Sequence, residues 1–170
     1  FREEFLLGFA DQDIEDYASA VAYLESLDYV APDRIGIWGS SYGGTLSVYS
    51  LLKKPGLFQV GVAAAAAVDP VFFGTDDVAI VRTPQTHPEV FERKALKYAA
   101  NLQDKLLFIH GMQDHVVPFK TTAMLAEELI KQGKNFDFAF APGATHGWSR
   151  EENYDRYLFG KLIEYFDRYL

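Results

Sequence analysis

Cysteine is absent from the 170 residues. Disulfides, a thiolate nucleophile and cysteine-ligated zinc are therefore excluded, while the compartment stays open. Histidine is scarce at four residues, so imidazole chemistry has few candidates. No apolar run approaches the ~18 residues of a membrane span. No internal repeat is visible, and the longest biased run, Ala63 to Ala67, is too short for a linker. Basic residues are outnumbered, with 16 Lys and Arg against 24 Asp and Glu and a net charge of −8. Phosphate binding needs clustered cations, so nucleic acid is not an expected partner. The start, Phe1-Arg2-Glu3-Glu4-Phe5, carries no Met and is not a signal peptide. It reads as the opening of a processed or excised piece.

What is present suits one folded domain over residues 1–170. Nearly half of the chain is apolar, 49%, enough to bury a core. Helix and strand signals alternate. Ile14, Tyr17, Val21, Leu24 and Leu27 recur at helical spacing after Asp11-Gln12-Asp13, which offers N-caps. Ile35 to Trp38 reads as a short buried strand after the turn Ala31-Pro32-Asp33. A helix is expected from Tyr42 to Lys54, ended by Pro55-Gly56. Gln59 to Val68 is apolar throughout and reads as a strand covered on both faces. Asp69 to Pro88 reads as irregular, and Glu89 to Asn101 as helical. Leu106 to His110 is a second buried strand, Thr121 to Gln132 a helix closed by Gly133, Phe136 to Phe140 a strand, and Asn153 to Leu170 an amphipathic closing helix. This order predicts an α/β domain with a parallel sheet.

One stretch carries chemistry. Gly39-Ser40-Ser41-Tyr42-Gly43-Gly44 sits between a predicted strand and a predicted helix. The pattern G-x-S-x-G at that junction is a nucleophile elbow, a turn so sharp that its flanking residues must be glycine. On this reading Gly39 and Gly43 are small because strand and helix approach there, and the Tyr42 N–H points where an oxyanion would form. A Gly-rich strand–helix turn can also bind phosphate.

A serine needs a base, and the base needs an orienting acid. In this architecture they follow in the order Ser, Asp or Glu, His. His146 lies in a small-residue loop after the last strand and is the candidate base. His87 reads as a surface loop residue, His110 as a packed core residue, and His115 as a loop neighbour. Asp114 follows a buried strand and is the candidate acid. Asp69 is the rival, although Asp69-Pro70 also reads as a turn; Asp104 and Asp137 sit at the wrong places on their strands. The His and Asp spacings hold no H-E-x-x-H or comparable ligand set. No metal and no cofactor are expected.

Three segments together extend this reading: Gly39 to Gly44, Ile109 to Pro118, and Thr145-His146-Gly147. They resemble the catalytic segments of the prolyl oligopeptidase family of serine peptidases, and Asp13 to Leu27 and Lys97 to Leu107 resemble the family's flanking parts. The resemblance implies the C-terminal portion of an α/β-hydrolase catalytic domain, with Ser41 as nucleophile, Asp114 as acid, His146 as base and the Tyr42 N–H as an oxyanion donor. It also implies an apolar pocket lined by Ala67, Phe73 and Val117. Pro70 stands where many members carry an aromatic residue. Members have further strands and usually a β-propeller upstream, and the second oxyanion donor comes from there. The substrate implied is a peptide, with a small ester as the alternative for a carboxylesterase on the same fold. An inactive fragment without the full oxyanion site is a third reading. Ile35 to Trp38 would then be an edge strand, expected to pair with a second copy or with an upstream segment.

Overall fold

The computed structural model describes residues 10–72, 85–86, 88–92, 94–148 and 152–170. Among the described residues, five helices and four strands follow in order: α1 Asp11–Glu25, β1 Gly36–Ser40, α2 Tyr42–Lys53, β2 Val60–Ala64, α3 Pro88–Phe91, β3 Lys105–Gly111, α4 Phe119–Lys131, β4 Asp137–Ala141 and α5 Glu152–Tyr169. Short 3₁₀ turns cover Pro70–Phe72 and Ala95–Asn101. The sheet runs β1-β2-β3-β4, and every neighbouring pair is parallel. This is the α/β architecture that the alternating signals predict.

Strand periodicity explains the layering. On β2, Val60, Val62 and Ala64 face one core, while Ala63 faces the other. On β3, Leu107 and Ile109 join the first set, and Leu106 and Phe108 the second. One core is closed by Leu158 and Tyr165 of α5. The other is closed by Ile14 and Val21 of α1, Leu51 and Leu52 of α2, and Leu125 and Leu129 of α4. Alternation with period two feeds both faces at once, so the central strands read as unbroken apolar runs.

Three expectations are corrected. Asp11 to Asp13 do not cap α1. The cap is Ala10, at φ 62°, and Asp11 and Asp13 lie inside the first turn. Negative charge is favourable there, and both are used in tertiary bonds: Asp11 pairs with Lys53, and Asp13 accepts from Tyr42. The strand read over Gln59 to Val68 stops at Ala64, because Ala65 turns to φ 46°. The helix read over Glu89 to Asn101 is broken. Lys94 is extended, at φ −67° and ψ 136°, and Ala95 donates its N–H to Val68 O at 2.9 Å.

β1 pairs on one side only among the described residues. A further expectation is corrected here: β1 is not a buried strand, for its Trp38 is 46% exposed and packs edge-on against Phe159 of α5, with ring centroids 6.0 Å apart. Among the described residues, no helix is long and apolar enough to cross a membrane.

Candidate active site

Open parallel sheets place their sites beyond the carboxyl ends of the strands. Three loops meet there: Ser41 directly follows β1, Asp114 follows β3, and His146 follows β4.

Ser41 holds φ 58° and ψ −120°. That region disfavours an L-residue by on the order of 1–3 kcal/mol and persists only where surrounding bonds impose it. Here they do. The Ser41 N–H donates to Ala64 O at 2.9 Å, and the Ser41 carbonyl accepts from the Thr45 N–H at 2.9 Å. The buried Thr45 hydroxyl donates to Ala67 O at 2.9 Å and accepts from the Ala67 N–H at 3.0 Å. Thr45 thus ties the elbow to the chain leaving β2. The Tyr42 hydroxyl donates to Asp13 Oδ2 at 2.9 Å, linking the elbow to α1. Burial first, and then this bond, push the Tyr42 phenol well above its ordinary range, so it stays a donor.

The glycines divide unexpectedly. A Cβ on Gly39 would lie 2.7 Å from the Gly43 Cα and closer still to its carbonyl, and one on Gly44 would collide with Ala64 O. A Cβ on Gly43 would meet nothing within 4 Å. The close approach is real, but it constrains Gly39 and Gly44; Gly43 is the surface being approached. Gly39→Ala is therefore expected to destabilise by about 1–3 kcal/mol. Gly43→Ala is expected to change stability by no more than about 1 kcal/mol, in the favourable direction for a helical position. Urea unfolding of the two variants checks this, and equal losses would contradict it.

The acid loop is built from inside. Asp114 Oδ1 accepts from the N–H groups of Val116 at 2.9 Å and Val117 at 2.8 Å. Its Oδ2 lies 2.8 Å from His146 Nδ1. The Asp114 side chain is wholly buried. A carboxylate accepts only, so Nδ1 carries the proton. His146 Nε2 then accepts from Ser41 Oγ, 2.9 Å away. The His146 side chain keeps 23% exposure. Acid and base loops are also joined directly. Met112 and Gln113 donate their N–H groups to Ala141 O and Ala144 O, both at 3.0 Å.

The remaining candidates fall elsewhere. Asp69 closes its own turn by accepting from the Val71 N–H at 3.0 Å, and its other oxygen pairs with Lys94 at 3.2 Å. Asp104 accepts from the Gly56 N–H, and Asp137 from the Tyr165 hydroxyl. His115 is exposed beside Asp114. His87 and Phe73 lie outside the described residues. Ala67 and Val117 are almost fully buried, at 1% and 4% exposure, and their backbones are committed to Thr45 and to Asp114. Tyr42 is the first residue of α2. Thr45 is not singled out in the sequence, where nothing links it to Ala67, 22 residues on.

The prolyl oligopeptidase family model matches residues 1–170. Dipeptidyl peptidase 8 of Mus musculus is 28% identical over 166 residues, covering 92% of this chain and 18% of that protein. A probable dipeptidyl-aminopeptidase B of Neurospora crassa is 31% identical over 155 residues, covering 88% of this chain and 17% of its own length. Among solved structures, Porphyromonas gingivalis dipeptidyl peptidase 4 superposes with a TM-score of 0.90 at 28% identity, over 96% of this chain and 24% of that one. Pyrococcus horikoshii acylaminoacyl peptidase superposes with a TM-score of 0.81 at 25% identity, over 95% and 28%. The chain thus spans less than a third of each of these proteins.

Proposed function

We propose, for a chain that belongs to the prolyl oligopeptidase family, that residues 1–170 form the C-terminal part of an α/β-hydrolase catalytic domain that cleaves peptide bonds by acyl transfer. The observation that carries this reading is the continuous hydrogen-bonded chain from Ser41 Oγ through His146 to Asp114, at 2.9 and 2.8 Å. It joins residues 105 and 32 positions apart in sequence.

His146 Nε2 takes the proton of Ser41 as Oγ attacks the substrate carbonyl. The oxyanion is held in part by the Tyr42 N–H at the start of α2, where the helix dipole also favours negative charge. The imidazolium that forms is stabilised by the buried Asp114 carboxylate. His146 then protonates the leaving amine, and water, activated by the same histidine, releases the acyl group. Ala67, Phe73 and Val117 are proposed to line the pocket for the residue before the scissile bond. A strand from a second copy, or from a preceding segment, is proposed to pair with the open edge of β1.

Two of the relatives are named as dipeptidyl peptidases, which sets the first substrate to try. A dipeptidyl anilide and the matching dipeptidyl ester separate peptidase from esterase. Turnover of the anilide is expected, and turnover of the ester alone would overturn the peptidase assignment.

A further inference from the structure

One buried titratable side chain touches this site without a step in the chemistry above. His110, near the end of β3, has no exposed surface. Its ring lies edge-on to Phe119 of α4, with centroids 5.6 Å apart. Its Nε2 lies 3.0 Å from the Val117 carbonyl oxygen and 3.4 Å from Asp114 Oδ2. Both partners only accept, so Nε2 carries the proton. Its Nδ1 lies 2.9 Å from Thr122 Oγ1 and accepts from that hydroxyl. The alternative acceptor for Thr122, Ala66 O, is 3.5 Å away and competes poorly.

We propose that His110 is a positioning residue for the acid. Its Nε2–H pins the Val117 carbonyl, and with it the turn whose N–H groups fix Asp114 Oδ1, so that Asp114 Oδ2 stays aimed at His146. The geometry is independent of the hydrolase reading; the effect on rate rests on it.

The turn needs this anchor. His115 and Val116 are exposed, so solvent offers the loop little restraint from outside. A carboxylate turns about two side-chain torsions, and its aim is only as firm as the two N–H groups that hold Oδ1. Those N–H groups belong to Val116 and Val117, and His110 supplies a side-chain bond to the Val117 carbonyl. Burial holds the His110 imidazole below the ordinary histidine range, against the opposing pull of the Val117 carbonyl and Asp114. It is therefore neutral at neutral pH, with a single N–H for Val117 and Asp114 to share. The titratable groups facing it are Asp114 and His146, while α4 presents Phe119 and Thr122.

Side-chain reach makes this testable. Glutamine can place an amide N–H where Nε2–H stands; asparagine reaches only the Nδ1 position; leucine has no donor. Thr122→Val leaves the ring in place but removes the hydroxyl that fixes its tautomer. Each variant, in the full-length protein, is read two ways: kcat against KM on the anilide, and the far-downfield proton resonance of His146 Nδ1–H bonded to Asp114. The resonance reports the aim of Asp114 whether or not turnover occurs.

His110→Leu and His110→Asn are expected to lose about 10- to 100-fold in kcat with KM little changed, and to lose or shift the resonance. His110→Gln should keep the resonance and stay within a few-fold of the parent, and Thr122→Val should fall between. Equal losses in Leu and Gln with the resonance intact in both would reduce His110 to packing and overturn the proposal. So would a parent that shows no such resonance, or a Thr122→Val protein identical to the parent should the Leu variant fail to fold. An active parent with an unaffected His110→Leu defeats the proposal and leaves the hydrolase reading standing. An inactive parent whose resonance still depends on His110 does the reverse.

Discussion

Asp114→Asn is expected to lower kcat by about four orders of magnitude while leaving the chain folded. The magnitude is that seen when the acid of a comparable triad becomes an amide; the direction follows from this site. The N–H groups of Val116 and Val117 both point at Oδ1, so the amide oxygen must take that place. The amide NH₂ then stands at Oδ2, 2.8 Å from His146 Nδ1. It can only donate. His146 must accept at Nδ1 and carry its proton on Nε2, facing Ser41 Oγ. A base with its proton already on the working nitrogen cannot take another from the serine. His110 Nε2–H, 3.4 Å from Oδ2, would meet the same NH₂ and opposes it further. Steady-state kinetics with the dipeptidyl anilide, beside circular dichroism of the variant, checks both halves. A loss below about tenfold would mean that Asp114 does not set the tautomer.

Ser41→Ala is expected to cost more, on the order of 10⁶ in kcat, the scale found when a triad nucleophile is deleted. The residual rate should come only from binding and oxyanion stabilisation. A sharper expectation concerns the double variant. On the proposed mechanism Ser41, His146 and Asp114 act as one unit, so Ser41→Ala with Asp114→Asn should be no slower than Ser41→Ala alone. Additive losses would mean that the two residues serve separate steps. Removing the hydroxyl also relieves nothing in the backbone: alanine at φ 58° bears the same strain as serine. Stability should therefore change little, and the kinetic loss can be read as chemistry.

Much of this site is legible in the sequence because chemistry narrows the choice of residues. Only four histidines exist, and only one follows the last strand in a loop. The strand–helix junction at Gly39 to Gly44 marks the serine. Asp114 and Asp69 are rivals in the sequence; in the structure Asp69 is bonded to Val71 and Lys94, while Asp114 Oδ2 lies 2.8 Å from His146 Nδ1. The sheet is legible for a similar reason, since β3 carries apolar side chains to both faces.

What the sequence hides is set by backbone geometry. Ala63 to Ala67 has no pattern to show where β2 ends, and the end comes from a positive φ at Ala65. The break at Lys94 comes from a bond between Ala95 and the distant Val68. G-x-S-x-G names two glycines, yet the Cβ clash falls on Gly39 and Gly44. His110 is read correctly as a packed, hydrogen-bonded residue. Its link to Asp114 depends on how the 114–117 turn folds back under the strand end, and no spacing in the sequence encodes that. Thr45 is hidden likewise, since its partner Ala67 sits 22 residues away.

The most direct measurement is intact-mass labelling with a fluorophosphonate, comparing the parent chain with Ser41→Ala. One adduct is expected on the parent and none on the variant, because Ser41 Oγ already donates a hydrogen bond to His146 Nε2 at 2.9 Å. A folded parent that takes no adduct, or a Ser41→Ala chain that takes one, would contradict the proposed mechanism.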